Sequence, residues 1–371
     1  MNKLNKKQKT VVVGLSGGVD SSVTALLLKK QGYKVIGVFM QNWDTVANAE
    51  NNFIQLDEKC DAQKDFEDAK AIADKLGIEI YKKDFIKEYW DKVFLDFLDK
   101  YKKNLTPNPD IFCNKYIKFD AFLEFARKKF NCDYIATGHY ADVKHFKNGG
   151  YLKLCKDDNK DQTYFLCHLN NEQLKNTLFP LAKFKKDKVR EIAKKYDLIT
   201  ANKKDSTGIC FIGERNLVDF LSNYIPISEG DIIDITNNTI VGKHKGSQFY
   251  TIGQRKGLNL GGLSQKYFVC KKENNTIYIA PNDLEEQYLS SNYCELKEFN
   301  WIKKPIKLKD IHARFRHRQP LQKVDIQLID NKVIVKYKPQ KNIVPGQYCV
   351  LYQNKYCLGG GEIEYVEYKR N

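Results

Sequence analysis

The chain has 371 residues, 42% of them hydrophobic, and a formal net charge of +16 at pH 7. This length predicts two or three domains with real cores, and no apolar run approaches the roughly 18 residues of a membrane span. The first residues also lack the apolar segment of a signal peptide. We therefore expect a cytoplasmic protein with no membrane partner and with reduced cysteines.

The first half of the chain alternates strands and helices at the spacing typical of βαβ units around a parallel sheet. The predicted strands are residues 10–14, 34–40, 78–84 and 134–139. The predicted helices are residues 21–31, 61–76, 87–102 and 115–130. Because ligands of open α/β sheets bind at the carboxyl ends of the strands, we expect a site at that edge.

The most informative segment is SGGVDSS at residues 16–22, which follows the first predicted strand and opens a helix. Gly17 and Gly18 leave no side chain between the backbone and a ligand, and the free N–H groups of a helix start favour an anion. The spacing excludes both the P-loop with its lysine and the dinucleotide motif G-x-G-x-x-G. The segment resembles the PP-loop of the ATP pyrophosphatases, which cleave ATP between its α and β phosphates.

Two polar loops, residues 106–114 and 203–213, each carry a cysteine. In the first loop, Pro107 and Pro109 are expected to keep the chain extended up to Cys113, which would open the next helix. Cys210 lies in the second loop, among basic residues. Both positions favour a thiolate, although either thiol could equally be a buried structural one. The chain contains no C-x-x-C, which argues against zinc fingers and thioredoxin-like motifs.

The pattern changes after residue 216. A helix over residues 217–224 is predicted to lead into a short β-rich segment, residues 230–246. From about residue 283 onward we expect only strands and turns, with two strands around Asp330 and Asn331 that favour a small antiparallel barrel. The expected domains are residues 1–215, 216–282 and 283–371.

The positive charge is compatible with a polyanionic partner such as RNA. A lysine-rich surface is also what an AT-rich genome encodes on any protein, so the arginines are more informative. Arg314, Arg316 and Arg318 are three of only eight arginines. Since arginine makes planar, bidentate contacts with phosphate and bases, this cluster predicts nucleic-acid binding, with a solvated basic strand as the alternative.

Motifs along nearly the whole chain resemble the tRNA-specific 2-thiouridylases, a family of PP-loop enzymes. They are SGGVDSS, FMQNW, TPNPDIFCNKYIKF, YIATGHYA, KDQTYFL, KDSTGICFIGER, TIGQRKGL, PGQYCVLY and CLGGGEI. The resemblance implies an α/β fold with an N-terminal parallel-sheet PP-loop domain of the adenine nucleotide alpha hydrolase type, a small central β-rich domain and a C-terminal antiparallel β-barrel that binds tRNA. It implies ATP-dependent conversion of the wobble uridine of tRNA to 2-thiouridine, with release of AMP and pyrophosphate.

The same resemblance implies roles for individual residues. Cys210 would carry a persulfide sulfur supplied by a cysteine desulfurase or a sulfur-relay protein, and Cys113 would be the nucleophile that leaves a Cys113–Cys210 disulfide. Asp110 would be a general acid or base. The residues implied to bind ATP, together with Mg²⁺, are Gly14, Leu15, Ser16, Gly17, Gly18, Val19, Asp20, Ser21, Met40 and Gly138. The residues implied to contact the target base or the tRNA are Asn108, Pro109, Asp110, His139, Lys160, Asp161, Gln162, Arg316, His317 and Gln347.

Three alternatives stay open at this point. Another PP-loop enzyme of tRNA, such as lysidine synthetase, would need no paired cysteines. A catalytically silent tRNA-binding protein would show no ATP–pyrophosphate exchange. An iron–sulfur cluster held by Asp110, Cys113 and Cys210 would give the same product by different chemistry, and a visible spectrum after anaerobic purification would reveal it.

Overall fold

The computed structural model describes residues 8–43, 61–205, 212, 216–258, 260–261, 265–330 and 332–369. In these ranges the strands form three sheets: a parallel sheet, a small mixed sheet and a closed antiparallel barrel. The fold class predicted from the sequence is thereby confirmed. No helix within the described ranges is long and apolar enough to cross a membrane.

The elements are numbered in chain order. The strands are β1 (Thr10–Gly14), β2 (Lys34–Gln41), β3 (Glu79–Asp84), β4 (Tyr134–Ala136), β5 (Asp142–Phe146), β6 (Gly149–Lys153), β7 (Thr177–Leu178), β8 (Gly230–Asp234), β9 (Thr239–His244), β10 (Tyr267–Glu273), β11 (Thr276–Pro281), β12 (Ser290–Trp301), β13 (Ile311–Arg314), β14 (Gln322–Ile329), β15 (Lys332–Lys341), β16 (Tyr348–Gln353) and β17 (Tyr356–Tyr368). The α-helices are α1 (Val19–Lys30), α2 (Asp61–Leu76), α3 (Ile86–Tyr89), α4 (Leu95–Lys102), α5 (Pro109–Phe112), α6 (Phe122–Phe130), α7 (Asn171–Lys175), α8 (Lys186–Lys195), α9 (Leu217–Leu221) and α10 (Glu285–Leu289). Two π-helical segments, Trp90–Phe94 and Cys113–Ala121, join α3 to α4 and α5 to α6.

The N-terminal sheet is parallel, with the strand order β3-β2-β1-β4-β7. Successive side chains of β1 point to opposite faces, as the pleat of a strand requires. Val11 and Val13 pack in a core with residues of α1, α2 and α8, whereas Val12 packs in a second core with residues of the helices between Ile86 and Phe130. Helices therefore cover both faces of the sheet, and its carboxyl edge is left for ligands.

The C-terminal barrel has six antiparallel strands in the order β12-β15-β14-β13-β16-β17, and pairing of β12 with β17 closes it. The hairpin β5–β6, which belongs to the N-terminal half of the sequence, extends the barrel sheet from β17. The small sheet, whose strands lie between β7 and β12 in the sequence, has the order β10-β11-β8-β9. The N-terminal half and the barrel thus share one hydrogen-bonded sheet.

Several sequence-based boundaries need correction. The helix expected over residues 217–224 ends at Leu221. The segment expected to be extended up to Cys113 becomes helical at Pro109, because proline is well suited to the first position of a helix and Asn108 takes the capping position. The strand expected over residues 134–139 ends at Ala136. The short helix α10 precedes the barrel, in a region where only strands and turns were expected.

Candidate functional site

The loop between β1 and α1 has the geometry of an anion cradle. The strand ends at Gly14, Gly18 occupies the capping position, and α1 begins at Val19. Gly17 has a φ of +71°, and a Cβ atom on it would lie 2.2 Å from the carbonyl oxygen of Asp65, so only glycine fits there. The Ser21 hydroxyl accepts a hydrogen bond from the Ser16 backbone N–H at 3.2 Å and donates one to the Gly18 carbonyl at 3.0 Å. The loop is held in shape by its own side chains.

The residues that the sequence assigned to ATP meet at this loop. A Cβ atom on Gly14 would lie 2.9 Å from the terminal methyl of Met40, and one on Gly138 would lie 2.8 Å from the backbone nitrogen of Ser21. Leu15 and Val19 are buried in the core, at 0% and 4% exposure. Their side chains face away from the cradle, which leaves only their backbone groups for a ligand.

Asp20 was expected at this loop, but its partners Tyr140 and Lys186, and Lys203 on the other side, were not. The Asp20 carboxylate accepts a hydrogen bond from the Tyr140 hydroxyl at 2.8 Å, and its two oxygens lie 2.8 and 2.7 Å from Nζ of Lys186. On the other side, Nζ of Lys203 donates to the Gly17 carbonyl at 3.1 Å. The loop has no lysine of its own, so these cations come from residues more than 160 positions further along the chain. Tyr140 carried a signal because it lies in the motif YIATGHYA, and Lys203 because it begins the polar loop 203–213, whereas Lys186 carried none.

Asp110 and Cys113 lie one helical turn apart, so their side chains are on the same side of the helix. Cys113 is the first residue of the π-helical segment and is only 3% exposed. Burial raises the pKa of Asp110, and the Lys118 ammonium opposes this shift. A raised pKa favours the protonated form of this carboxyl group. Cys210 lies outside the described residues.

The segment just before this helix is fastened by both of the later parts of the chain. The barrel contributes Gln347, whose side-chain amide donates to the Thr106 carbonyl at 2.9 Å. The small sheet contributes Lys272, whose Nζ donates to the Asn104 carbonyl at 2.9 Å, and burial lowers the pKa of this lysine to about 8. Gln347 was implied to contact tRNA, and the structure places its amide on the segment that leads to Asp110.

The arginine cluster divides into a buried and an exposed part. Arg314 ends β13 with its guanidinium buried, and its Nη1 lies 2.8 Å from Oδ1 of Asp161. Asp161 is 1% exposed, and its Oδ2 also accepts the backbone N–H of Cys155 at 3.0 Å. Both the carboxylate and the guanidinium are thus engaged inside the protein. The expected tRNA contact of Asp161 is not open to its carboxylate, whereas Arg316 is exposed.

The remaining candidate residues lie near this ion pair or near the helix of Cys113. The imidazole of His317 lies 3.2 Å from the Asp161 carbonyl, and burial lowers its pKa. His139 is buried against Phe119, accepts or donates a 2.7 Å hydrogen bond with the Thr137 hydroxyl, and has its pKa lowered by burial. A neutral histidine can contact a base but adds no charge to a phosphate site.

Lys160 and Gln162 flank Asp161. Nζ of Lys160 lies 2.7 Å from Oδ2 of Asp205, and its side chain is 29% exposed. Gln162 accepts the backbone N–H of Tyr140 at 2.9 Å, so it ties this segment to the carboxyl edge of the N-terminal sheet. Hydrogen bonds thus connect His317, just after β13, through the segment of Asp161 and Gln162 to Tyr140 near that edge.

Family models match three consecutive parts of the chain. A model described as tRNA methyl transferase HUP domain matches residues 9–214, one described as tRNA methyl transferase PRC-barrel domain matches residues 218–281, and one described as Aminomethyltransferase beta-barrel domain matches residues 291–363.

Curated relatives match nearly the full chain. The tRNA-specific 2-thiouridylase MnmA of Ureaplasma urealyticum serovar 10 is 57% identical over 364 residues, which cover 96% of this chain and 96% of the relative. The protein of the same name from Mycoplasma mycoides subsp. mycoides SC is 52% identical over 374 residues, which cover 97% of this chain and 99% of the relative. On these matches, the chain belongs to the tRNA-specific 2-thiouridylase family.

Proposed function

We propose that this protein is an ATP-dependent tRNA-uridine 2-sulfurtransferase that converts the wobble uridine of tRNA to 2-thiouridine. The observation that carries the proposal is the convergence of Gly14, Met40 and Gly138 on the cradle at Gly17 and Gly18. The 57% identity to a protein named for this reaction supports the choice of reaction. The proposal includes a cytoplasmic location, where the enzyme would meet its tRNA substrate.

In the proposed first step, the C2 oxygen of uridine attacks the α phosphorus of ATP, and pyrophosphate leaves. The cradle would hold the phosphates through its backbone N–H groups. The Asp20 carboxylate offers the oxygen ligands that Mg²⁺ prefers, and its side chain is 31% exposed. Mg²⁺ bound with ATP would neutralise charge on the pyrophosphate.

In the proposed second step, sulfur replaces the adenylated oxygen. The terminal sulfur of a Cys210 persulfide, supplied by a cysteine desulfurase or a relay protein, attacks C2, and AMP leaves with the oxygen. The Cys113 thiolate then attacks Sγ of Cys210, which leaves the second sulfur on the base and forms a Cys113–Cys210 disulfide. Alternatively, Cys113 attacks the persulfide first and releases hydrosulfide as the nucleophile. An external thiol reduces the disulfide in either route.

The tRNA is proposed to lie along the region from Arg316 through Lys160 to Asn108. The wobble base is already single-stranded, so extruding it toward Asp110 and Cys113 is inexpensive. Because Cys113 is buried, a base must be inserted into the protein to reach its thiol. This supports extrusion of the wobble base and not binding of the RNA at the surface alone. The descriptions of the matching family models name methyl transferases and an aminomethyltransferase. The two motif cysteines favour sulfur transfer instead, because sulfur transfer needs thiols.

The direct test is incubation of the purified protein with ATP, a persulfide source and bulk tRNA, followed by digestion and nucleoside analysis. We expect 2-thiouridine together with AMP and pyrophosphate. Methylated uridine, or no modified nucleoside, would contradict the proposal. Purification under argon and a visible spectrum test the iron–sulfur alternative, because a cluster absorbs where thiols do not.

A further inference from the structure

A chain of alternating charges runs from the cradle to the candidate tRNA region. Nζ of Lys186 lies 2.7 Å from Oδ2 of Asp20 and 2.8 Å from Oδ1 of Asp205. Asp205 in turn lies 2.7 Å from Nζ of Lys160. The order is therefore Asp20, Lys186, Asp205, Lys160, with direct contact at every step.

Asp205 is the branching point of this chain. Besides the two lysines it binds Nη2 of Arg190 at 2.8 Å. Partial burial acts to raise the pKa of Asp205, but the hydrogen bonds from Lys160 and Lys186 outweigh it and lower the pKa to about 2. The carboxylate is thus charged at any physiological pH and shared among three cations.

Three members of the chain are partly exposed, with Asp205 at 31%, and only Lys186 is shielded. The side chains of Lys160 and Asp20 are 29% and 31% exposed, whereas that of Lys186 is 10% exposed. The three N–H bonds of the Lys186 ammonium are used, two by Asp20 and one by Asp205. Lys186 cannot move toward one carboxylate without loosening its hold on the other.

We propose that Asp205 is a positioning residue that couples tRNA binding at Lys160 to nucleotide binding at Asp20. An RNA phosphate that binds Lys160 removes one of the three cations from Asp205. The carboxylate then attracts Lys186 more strongly, and Asp20 is released to accept the Mg²⁺ that accompanies ATP. The inference rests on the proposed function, which places RNA at Lys160 and ATP at the cradle.

Such a coupling is reciprocal, so ATP must tighten tRNA binding by the same factor. We expect about a fivefold effect, at the lower end of the usual range for coupled sites, because both ends of the chain are partly exposed and screened by solvent. A coupling of this size would favour ATP binding to the protein that already holds tRNA.

The experiment measures the Kd of α,β-methylene ATP with Mg²⁺ by calorimetry, using the full chain with and without saturating tRNA. In the wild type we expect the Kd to fall about fivefold when tRNA is present. In Asp205→Asn both ligands should still bind, but the ratio of the two Kd values should be close to one. If Asp205 only stabilised the fold, Asp205→Asn would weaken the binding of both ATP and tRNA. The ratio of the two Kd values would then stay at the wild-type value.

Asp158→Asn is the matched control, because Asp158 is an exposed carboxylate two residues from Lys160, and it should keep the wild-type ratio. If Asp205→Asn does not fold, Lys160→Met replaces it as the test variant. The ratio of its two Kd values should also be close to one. A wild-type ratio of one, or a full ratio in Asp205→Asn, would overturn the inference. A wild-type protein that binds neither ATP nor tRNA would overturn the proposed function itself.

Discussion

Asp161 and Arg314, which are 153 residues apart in the sequence, form a buried ion pair between the segment after β6 and the end of barrel strand β13. The Arg314 guanidinium also lies over the Tyr352 ring, 5.3 Å from its centroid. A charge this deep is tolerated only because its partner is present. The pair therefore fixes the barrel against the N-terminal half, two residues before the exposed Arg316.

Arg314→Met is expected to lower the free energy of unfolding by about 3 kcal/mol, because it leaves the Asp161 carboxylate buried without its cation. Urea unfolding followed by circular dichroism measures this. The double variant Arg314→Met/Asp161→Leu should recover part of the loss, since no charge is then buried alone. Equal stability of Arg314→Met and the wild type would show that the pair is solvated in solution.

Arg316→Ala is expected to weaken tRNA binding while leaving stability close to that of the wild type, because its side chain is exposed. The slope of log affinity against log salt should flatten by about one unit or slightly less, as for the loss of one phosphate contact. The control is Lys369→Ala, another exposed cation far along the chain. Equal effects of the two substitutions would mean that the diffuse positive field, not Arg316, holds the tRNA.

Gly17→Ala and Gly18→Ala distinguish a loss of the loop's conformation from a loss of ATP binding. Gly17 has a positive φ and no room for a Cβ atom, so Gly17→Ala should destabilise the protein as well as abolish ATP binding. Gly18 has a φ of −101°, and a Cβ atom there would meet only the Ser16 hydroxyl at 3.6 Å. Gly18→Ala should therefore fold normally and lose ATP affinity only. Normal ATP binding by Gly18→Ala would show that the phosphates lie elsewhere.

Cys113→Ala and Cys210→Ala should each abolish 2-thiouridine formation and leave ATP and tRNA binding near normal, because the sulfur chemistry is separate from recognition. Nucleoside analysis measures the 2-thiouridine formed, and calorimetry measures the binding of ATP and tRNA. Cys167→Ala is the matched control, since Cys167 is equally buried in the same core. Thiolation by either of the first two variants would refute the two-cysteine mechanism.

Stability should fall as the pH drops below about 6.5, the usual pKa of histidine. Burial lowers the pKa of His139, so the unfolded chain binds a proton that the folded one does not. Each such group makes the free energy of unfolding fall by about 1.4 kcal/mol per pH unit below that value and leaves it constant above. His139→Gln should reduce this slope between about pH 5 and about pH 6.5, as urea titrations at several pH values would reveal. An unchanged slope would mean that His139 is protonated in the folded protein.

Local features of this protein were predictable from the sequence because local physics determines them. The spacing of SGGVDSS after an apolar strand predicted the turn at Gly17, where the backbone conformation admits only glycine. Hydrophobic periodicity predicted β1 and α2 to within a residue. Met40 and Gly138 could be placed at the cradle because the strands of a parallel sheet end at one edge.

Long-range pairings could not be predicted in this way. Lys186 and Asp20 are 166 residues apart, and nothing in the local pattern of α8 distinguishes Lys186 from the other lysines of that helix. The burial of Arg314 depends on Asp161 lying opposite, which periodicity in β13 cannot reveal. The start of α5 at Pro109 was missed because two prolines favour an extended chain just as they favour a helix start.

The bond from Gln347 to the Thr106 carbonyl has a consequence for how the enzyme comes into being. During synthesis the chain emerges from its N-terminus, so the helix of Asp110 and Cys113 leaves the ribosome long before residue 347 does. The segment that leads into this helix can bind Lys272 of the small sheet earlier, but it gains the bond from Gln347 only after the chain through residue 347 has been made. A chain that ended before Gln347 would therefore carry the cradle and Cys113 but would lack this hold on the segment before the helix.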